Sequence, residues 1–583
     1  MTRLYNSPEA FADELVDGFV AANHRWVRRV RGGVVRADAV RPGTVAVVVG
    51  GGSGHYPAFG GLVGPGLADG AAMGNLFASP SAQQVHSVAR AAERGGGVLL
   101  SYGNYAGDVL QFGLAQERLR AEGLACETVV VTDDVASAPA GERDRRRGIA
   151  GDLFVFKAAG AAAAQGRPLD DVARVAAKAN DRVRSFGVAF GGCTLPGADA
   201  PLFTVPEGRM AVGMGIHGEP GTDETDVPSA DGLAELLVAK LLEEIPPGAD
   251  GRRAAVVLNG LGSVKYEELF VVYRRVNQLL GRQGVEVVEP EVGELVTSFD
   301  MAGVSLTLAW LDDELEEAWR APAASPAYRK VVAPSPAPDA VRIGTGRGED
   351  TDTVPPASEE SRAAAWTVLR ALDTIHETVD AHAEELGRID AVAGDGDHGI
   401  GMRRGAVAAQ EAARDAADHG GGAGTVLARA ADGWADRAGG TSGALWGVIL
   451  RTVADELGDE HAPDPARVSA GIEKAAVKVA ELGGARIGDR TMLDVLAPLS
   501  DTLADALRRG DDPVTAWEAA ARVARERADA TADLVPRMGR ARLHTVRGRG
   551  TPDAGAASLA LLAEALRDAL RAATGHDRGG SRQ

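Results

Sequence analysis

Residues 331–358 interrupt the regular pattern of this chain and divide it into two unlike parts. The segment contains Ala-Pro-Ser-Pro-Ala-Pro and then Gly-Thr-Gly-Arg-Gly-Glu-Asp-Thr-Asp-Thr, and it has neither helical nor strand periodicity. Such sequences form linkers that are stiff where proline is dense and flexible where glycine is dense. Because 583 residues exceed one hydrophobic core, we expect folded domains at residues 1–330 and 359–573, followed by a disordered tail at 574–583.

The first part alternates short apolar runs with helical stretches. Four runs rich in β-branched residues end close to Gly, Asn or Asp, namely Val45–Val49, Gly97–Ser101, Thr128–Thr132 and Ala254–Leu258. Helical stretches such as 110–122 and 170–185 lie between them. This alternation predicts an α/β domain with largely parallel sheets, whose ligands bind beyond the C-terminal ends of the strands.

The second part is helical almost throughout. Apolar residues recur every three or four positions along its first helix, at Val368, Leu372, Ile375, Val379, Ala383 and Leu386. Similar alanine-rich spacing continues to about residue 573, and strand signals are nearly absent. The pattern predicts an all-α domain.

Three glycine-flanked loops of the first domain carry polar side chains. These loops are Gly50–Gly61, Tyr102–Asp108 and Gly213–Gly221. His55 fits either a tight structural turn with a core histidine or a ligand site, and Asp108 fits either a helix N-cap or a general base. A neutral imidazole at His217 could bind metal, move protons or add to a carbonyl. Three such loops at strand ends of one domain favour a ligand site.

The second domain contains a cluster of aspartates between glycines. Asp390, Asp395 and Asp397 fall within eight residues, which fits either an acidic surface turn or a Mg²⁺ site. No Glu follows at the position that an EF-hand requires. Thr441 and Ser442 stand in a glycine-rich stretch before an apolar helix, which fits either a helix cap or a phosphate site. Together the two stretches indicate metal plus phosphate, and so phosphoryl transfer from a nucleotide.

Charge and cysteine content narrow the class of protein. A formal charge of −20 disfavours nucleic acid and anionic membranes as partners. Only Cys126 and Cys193 occur, so neither a disulfide framework nor a zinc-type spacing is available. The N-terminus lacks the apolar core of a signal peptide, and no apolar run reaches membrane-spanning length. We therefore expect a soluble cytoplasmic protein.

These motifs together resemble the single-chain, ATP-dependent dihydroxyacetone kinases over nearly the whole length. The similar motifs, in order, are Gly50-Gly-Gly-Ser-Gly-His55, Asn104-Tyr-Ala-Gly-Asp108, Gly215-Ile-His217-Gly-Glu-Pro-Gly, Gly394-Asp-Gly-Asp-His-Gly, Gly439-Gly-Thr-Ser-Gly and Gly488-Asp-Arg-Thr-Met-Leu-Asp494. The resemblance implies a ketose-binding domain of two α/β subdomains, followed by an eight-helix barrel that binds ATP. It also implies a homodimer in which domains can be exchanged between subunits.

The resemblance assigns roles in the ketose domain. His217 would attack the ketone to form a hemiaminal, which selects ketoses over glycerol. Asp108 would take the proton from the hydroxyl that is phosphorylated, and His55 would hydrogen-bond the substrate. Gly52 and Ser53 would line the pocket.

The resemblance also assigns roles in the helical domain. Asp390, Asp395 and Asp397 would hold two Mg²⁺ ions on the ATP phosphates. The residues expected at the nucleotide are His398, Thr441, Ser442, Gly443, Leu445, Met492, Gly539 and Asp553.

Two positions depart from the family pattern. Gly103 stands where relatives commonly have Lys before the Asn-Tyr motif, and Thr551 stands where they have His. Loss of the long cation at Gly103 predicts a larger ketose pocket, which would admit the extra hydroxymethyl group of a four-carbon ketose such as D-erythrulose. Thr551 removes any nucleotide contact that the imidazole makes.

Two other functions fit parts of this pattern. One is phosphoryl transfer from a phosphocarrier protein with bound ADP as a relay, although the fusion of both domains in one chain speaks against it. The other is a non-catalytic ketose sensor, against which the intact Asp108 and the three clustered aspartates speak.

Overall fold

The computed structural model describes residues 4–219, 221–331, 354–394, 396–538 and 549–577. The chain divides into two compact units, Met1–Ala340 and Val341–Gln583. Most of the predicted linker lies outside the described residues, and its last part, residues 354–358, has no regular structure. Among the described residues, no helix is long and apolar enough to cross a membrane.

The first unit begins with a six-stranded sheet. Its elements are α1 (Phe11–Ala22), β1 (Val27–Val30), β2 (Gly33–Arg36), β3 (Ala46–Ser53), β4 (Gly70–Leu76), α2 (Ala82–Ala92), β5 (Val98–Gly103), α3 (Ala106–Ala121), β6 (Cys126–Val131), α4 (Asp152–Ala164) and α5 (Leu169–Arg182). The strand order is β1-β2-β4-β3-β5-β6, and β4, β3, β5 and β6 run parallel. Apolar cores cover both faces of this sheet, which explains why its parallel strands are continuous Val and Leu runs.

A second sheet follows in the same unit. Its elements are β7 (Val183–Gly191), β8 (Arg209–Val212), β9 (Asp223–Asp226), α6 (Ala230–Leu242), β10 (Arg253–Gly260), α7 (Tyr266–Arg282), β11 (Glu286–Val287), β12 (Glu291–Gly293), β13 (Ala302–Trp310) and α8 (Asp313–Arg320), with the small pair β14 (Ala323–Ala324) and β15 (Arg329–Lys330) outside it. The order is β11-β10-β13-β7-β8-β9, with β12 also paired to β10.

The prediction of largely parallel strands is wrong for this second sheet. Strand β10 is parallel to β11 and β12, but β13 is antiparallel to both β10 and β7, and β8 and β9 continue the antiparallel pairing. Parallel pairing requires a long crossover, and helix α7 supplies one after β10. The connections 192–208 and 294–301 contain no α-helix, so the strands that they join return in the opposite direction.

The second unit is a closed ring of helices, as predicted. The described residues form eight: α9 (Glu359–Asp390), α10 (His398–Asp418), α11 (Ala423–Ala438), α12 (Gly440–Leu457), α13 (Pro465–Gly483), α14 (Leu493–Arg508), α15 (Pro513–Ala530) and α16 (Ala554–Asp577). Each packs on the next, and α16 packs on α9, which closes the barrel. The helix α16 runs four residues into the predicted tail, and within it the hydroxyl of Thr574 donates to the carbonyl of Leu570 one turn earlier.

Candidate active site

Two histidines from distant loops of the first unit meet in the folded chain. His55 follows β3, and His217 lies in the loop between β8 and β9. Their Nε2 atoms are 2.9 Å apart, and their rings are perpendicular with centroids 4.7 Å apart. His55 is 2% exposed, whereas the side chain of His217 is 23% exposed. Of this pair, His217 is the ring that a ligand can reach.

The loop that precedes β13 fixes the protonation of His55. Nδ1 of His55 lies 2.7 Å from the carbonyl oxygen of Thr297, so its N–H donates there and Nε2 keeps a lone pair. Burial, and then the neighbouring His217, lowers the pKa of His55 to about 3, so this ring is neutral at neutral pH. Nε2–H of His217 therefore donates to His55 in the ligand-free arrangement.

Glu219 holds the other side of the His217 ring. Its Oε1 lies 3.2 Å from Nδ1 of His217, and its Oε2 accepts the backbone N–H of His217 at 3.0 Å. Both ring contacts of His217 are hydrogen bonds when the ring carries two protons. Burial acts to raise the pKa of Glu219, but the hydrogen bonds and charge of His217 outweigh it and lower that pKa to about 2. Motif assignment missed Glu219, although it stands two residues after His217.

Asp108 is a buried carboxylate that is hydrogen-bonded to Ser79 and close enough to His217 to feel its charge. It lies in the first turn of α3, for which Tyr105 is the N-cap residue, so the helix-cap interpretation of Asp108 is wrong. Asp108 is 7% exposed, and its buried Oδ1 has no hydrogen-bond partner among the described residues. Burial raises its pKa to about 6, and Ser79 and His217 act in the opposite direction. A carboxylate with this pKa can accept a proton near neutral pH.

The glycines of the first motif belong to β3 rather than to a loop after it. Gly50, Gly51 and Gly52 are buried in the strand, and a Cβ on Gly52 would lie 2.7 Å from the backbone nitrogen of Ala78. Ser53 ends the strand, and its hydroxyl donates to the carbonyl of Gly74 at 2.6 Å. Glycine is needed there because the segment after β4 packs against the strand.

Gly103 does not enlarge the pocket in the way the sequence predicted. A Cβ at Gly103 would lie 3.1 Å from the carbonyl oxygen of Gly148, and a Cβ at Gly148 would lie 2.4 Å from the Cα of Gly103. The two glycines allow the backbone of residue 148 to fill the space beside β5. A substrate preference for larger ketoses therefore needs another cause.

Two aromatic side chains complete the surroundings of His217. Tyr105 lies edge-on to the imidazole with centroids 4.5 Å apart, and Phe77 does so at 5.3 Å. Phe77 also stacks on His55 at 5.0 Å. Tyr105 stands inside the Asn-Tyr-Ala-Gly-Asp motif and could have been chosen from it, whereas no motif indicates Phe77. Apolar walls of this kind exclude water from the reacting nitrogen.

A cavity of about 370 Å³ opens in the helical unit. The predicted nucleotide and metal residues that line it are Asp390, Asp397, His398, Thr441, Ser442, Gly443, Leu445, Met492 and Asp553. Two predicted residues, Asp395 and Gly539, lie outside the described residues. The fold thus brings segments from the ends of α9, α11, α13 and the start of α16 around one space that can accommodate a nucleotide.

The start of α12 faces this cavity and can receive phosphate. Gly439 and Gly440 have positive φ values of 64° and 62°, which turn the chain sharply from α11 into α12. The described structure shows no side-chain cap at this helix start. The first backbone N–H groups and the hydroxyls of Thr441 and Ser442 are the donors that a phosphate requires.

The described acidic residues of the cavity fit Mg²⁺. Asp390 and Asp397 both line it, and Oδ2 of Asp390 also accepts the N–H of Gly396 at 2.8 Å. Within the described ranges, no three acidic, His or Cys side chains cluster as a complete metal site. Mg²⁺ does not need one, because it usually takes one or two carboxylates and fills its shell with phosphate oxygens and water.

Two of the cavity residues also have structural partners. Nε2 of His398 lies 3.1 Å from the hydroxyl of Ser558, which itself donates to the carbonyl of Gly555. Oδ2 of Asp553 accepts the N–H of Ala556 at 2.9 Å and so caps α16. These bonds fix the two side chains at the cavity wall.

Arg490 is a cavity residue that motif assignment did not select. It is 5% exposed with φ of 61°, and its Nη2 donates to the carbonyl of Thr551 at 2.6 Å. The backbone of Thr551 therefore contributes to the site although its side chain differs from the His of relatives. The Gly488–Asp494 motif contained Arg490, but spacing alone did not show that its cation borders the cavity.

Comparison with known proteins gives one family match for each of the two units. A Dak1 domain matches residues 17–327, and a DAK2 domain matches residues 392–568. The chain is 58% identical to the L-erythrulose kinase of Pectobacterium atrosepticum, covering 98% of this chain and 97% of the relative. It is 54% identical to the D-erythrulose kinase of Mycolicibacterium smegmatis, covering 98% and 99% respectively.

A solved structure extends the similarity to the fold. The dihydroxyacetone kinase from C. freundii in complex with AMP-PNP and Mg²⁺ aligns with a TM-score of 0.58 and 29% identity, covering 97% of this chain and 99% of that one. An α/β unit is followed by a helical unit, and the relatives named above are kinases, so the protein is a kinase. The chain belongs to the dihydroxyacetone and erythrulose kinase family, whose members carry Dak1 and DAK2 domains.

Proposed function

We propose that the protein uses ATP to phosphorylate a terminal hydroxyl of erythrulose, which it holds as a hemiaminal on His217. The observation that carries this proposal is the buried, unpartnered oxygen of Asp108 beside the His55–His217 pair. A nucleophile, a proton relay and a base thus lie together in one site. The names of the relatives at 54% and 58% identity favour a four-carbon ketose over dihydroxyacetone.

The histidine pair can form the covalent bond without an external acid. Nε2–H of His217 points at the lone pair of His55, so His55 can take this proton and leave Nε2 of His217 nucleophilic. Nε2 then bonds to the ketone carbon, the carbonyl π electrons move to oxygen, and His55 returns the proton to that oxygen as a hydroxyl. Because His55 is a weak base, transfer of the proton from His55 to the substrate oxygen is favoured. The step starts from a His217 ring with protons on both nitrogens, so the ring keeps its one positive charge after Nε2 bonds to carbon, and Glu219 at Nδ1 stabilises that charge.

Asp108 then serves the transfer step. The substrate hydroxyl gives its proton to the carboxylate as its oxygen bonds to the terminal phosphorus of ATP, and ADP leaves with the electrons of the broken P–O bond. The raised pKa makes Asp108 a better proton acceptor than an exposed aspartate while leaving it ionised at pH 7. The same burial that raises the pKa of Asp108 also destabilises its ionised form in the ligand-free protein.

The helical unit would bind the nucleotide. Mg²⁺ on Asp390 and Asp397, and on the undescribed Asp395, would neutralise charge on the phosphates. The N-terminus of α12 and the Thr441 and Ser442 hydroxyls would hold phosphate oxygens in place, and Leu445 and Met492 offer apolar surface to the base. These assignments rest on the cavity lining and on the AMP-PNP and Mg²⁺ named for the C. freundii structure.

We also propose that the protein acts in the cytoplasm as a homodimer. Both cysteines are buried free thiols, which suits a reducing compartment. The dimer follows from the family resemblance, and sedimentation equilibrium of the purified chain measures it directly.

A substrate panel tests the proposal. Purified protein with ATP and Mg²⁺ is given D-erythrulose, L-erythrulose, dihydroxyacetone or glycerol, and the products are identified by mass and ³¹P NMR. We expect a phosphorylated erythrulose, slower reaction with dihydroxyacetone, and none with glycerol. Turnover that requires a phosphocarrier would establish the relay alternative, and ligand binding without ADP release would establish the sensor.

The covalent step has its own measurement. Incubation with ketose alone, followed by a cold quench and mass spectrometry of the intact protein, should show an adduct one ketose heavier than the free protein. The variant His217→Ala should lack it, whereas the matched variant His86→Ala, at an exposed ion pair with Glu122, should keep it. An adduct retained in His217→Ala would exclude that imidazole as the nucleophile.

A further inference from the structure

Three buried oxygen atoms near His217 have no hydrogen-bond partner among the described residues. They are the hydroxyl of Tyr105, Oδ1 of Asp108 and Oδ1 of Asp152. Nearly all buried polar atoms in folded proteins are hydrogen-bonded, so three such atoms in one region indicate something that the protein alone does not supply. The proton acceptance proposed above accounts for Asp108. Tyr105 and Asp152 remain unexplained.

Neither residue is needed for the local fold. Asp152 is the first residue of α4, and that helix start has no side-chain cap, so Oδ1 of Asp152 is not used there. The carboxylate of Asp133 accepts the N–H groups of Ile149 and Gly151 at 2.8 Å each and so fixes the turn before the helix. Tyr105 precedes α3 and packs its ring against His217, while its hydroxyl extends beyond that contact. Both oxygens are free to meet a ligand.

The charged groups around Tyr105 and Asp152 act on both residues. Burial, and then the charges of Asp133 and Asp108, raises the pKa of Asp152 well above its ordinary value. Burial, and then Glu219, raises the pKa of Tyr105, and the charge of Asp152 adds to the rise. Burial therefore disfavours the charged form of each group.

This set of groups selects for a neutral ligand. The unpartnered phenol of Tyr105 can donate or accept, and the unpartnered Oδ1 of Asp152 can accept, so the pair matches a hydroxyl group, which donates once and accepts twice. An anion would be repelled by the nearby Asp108 and Glu219. The site is too buried for an exchangeable charged ligand without a counterion.

We propose that Tyr105 and Asp152 bind the C4 hydroxyl of a four-carbon ketose, which belongs to the extra hydroxymethyl group that dihydroxyacetone lacks. This inference rests on the proposed function, and it supplies the specificity that Gly103 does not provide. A site that hydrogen-bonds a substrate hydroxyl discriminates against an analogue without it, because the buried polar groups are then left unpaired.

The variant Tyr105→Phe tests the proposal by deleting one oxygen. In the full-length protein we expect the ratio of kcat/KM for erythrulose over dihydroxyacetone to fall about tenfold, the effect of one buried hydrogen bond. The matched control is Tyr273→Phe, whose phenol lies on α7 against the core of the second sheet. It should leave the ratio unchanged. Equal losses for both ketoses in Tyr105→Phe would show a role toward His217 and overturn the inference.

A binding measurement separates this inference from the proposed function. Calorimetric titration of erythrulose and dihydroxyacetone, without ATP, compares the wild type with Tyr105→Phe and with Asp152→Ala. We expect both variants to weaken erythrulose binding about tenfold more than dihydroxyacetone binding. Unchanged binding in both would mean that an ordered water occupies the site. Wild-type protein that binds erythrulose but forms no phosphorylated product would refute the kinase proposal for this sugar and leave the subsite standing.

Discussion

Replacing Asp108 by Asn should stabilise the first unit while removing its catalysis. The carboxylate is buried with one oxygen unpartnered, so its ionised form is disfavoured in the folded state. Asparagine is close in size and carries no charge, so it relieves the desolvation without creating a cavity. As general base the residue is worth about 10²- to 10⁴-fold in rate. The same substitution should therefore lower kcat by that factor.

The stability gain follows from the pKa. Burial raises the pKa of Asp108 from its ordinary 3.8 to about 6. Two pKa units of difference between folded and unfolded states correspond to about 3 kcal/mol, which is the most that the substitution can restore. Below pH 3.8 the carboxyl of Asp108 is protonated in both the folded and the unfolded state, so its burial does not lower the free energy of unfolding there. As pH rises from about 4 to 6 the unfolded chain ionises first, so the wild type loses stability across that window and the deficit is constant above it.

Hydrogen exchange can measure the change in stability of the first unit by itself. Exchange of the β5 and α3 amides reports opening of the first unit, whereas a denaturation curve of the whole chain mixes both units. We expect Asp108→Asn to raise the opening free energy by up to about 3 kcal/mol at pH 7.5 and by little at pH 4. The control Asp199→Asn, at an exposed loop carboxylate, should change neither value. A gain that is absent at pH 7.5, or equal at both pH values, would refute the desolvation argument.

Three further outcomes follow from the same geometry. In the wild type, kcat/KM should fall about tenfold per pH unit below pH 6, because protonated Asp108 cannot accept a proton; a profile that is level to pH 5 would exclude it as the base. Glu219→Gln should slow adduct formation about 10- to 100-fold in a mass-spectrometric time course, since the ring loses its anionic partner, while the exposed Glu207→Gln should not. Asp397→Asn should raise the Mg²⁺ concentration needed for AMP-PNP binding about tenfold or more; an unchanged titration, equal to that of the exposed Asp501→Asn, would remove Asp397 from the metal site.

The sequence predicted the elements of the first unit better than their directions. Strands β3, β5, β6 and β10 were recognisable because each is an apolar run bounded by turn residues. The direction of a strand depends instead on how its connection crosses the sheet. The segment 192–208 has the length of a crossover but forms no α-helix, so composition gave no sign that β8 would return antiparallel to β7.

Gly103 shows that the absence of a side chain in the sequence does not by itself predict an open volume in the fold. The sequence indicated a lost cation and therefore an open volume. In the fold, the backbone of Gly148 occupies that volume, and the fit depends on glycine at both positions, 45 residues apart. Whether the space beside a glycine is open depends on the residue packed against it, and the sequence around Gly103 does not show that this residue is Gly148.

The two half-sites were predictable to different degrees because they are built differently. The cavity of the helical unit is lined by the ends of helices. Glycines and hydroxyl residues at a helix start lie within a few positions of one another in the sequence, so a phosphate site there can be predicted from a short motif. The ketose site depends on contacts between loops such as those of His55 and His217, which are separated by 162 positions. The backbone carbonyl of Thr297 accepts the Nδ1–H of His55 and so determines which nitrogen of that ring carries the proton. Any residue type at position 297 would provide the same carbonyl. No motif can show such a contribution. Candidate substrate-binding residues such as Asp152 should therefore be sought by their place in the fold rather than by their spacing in the chain.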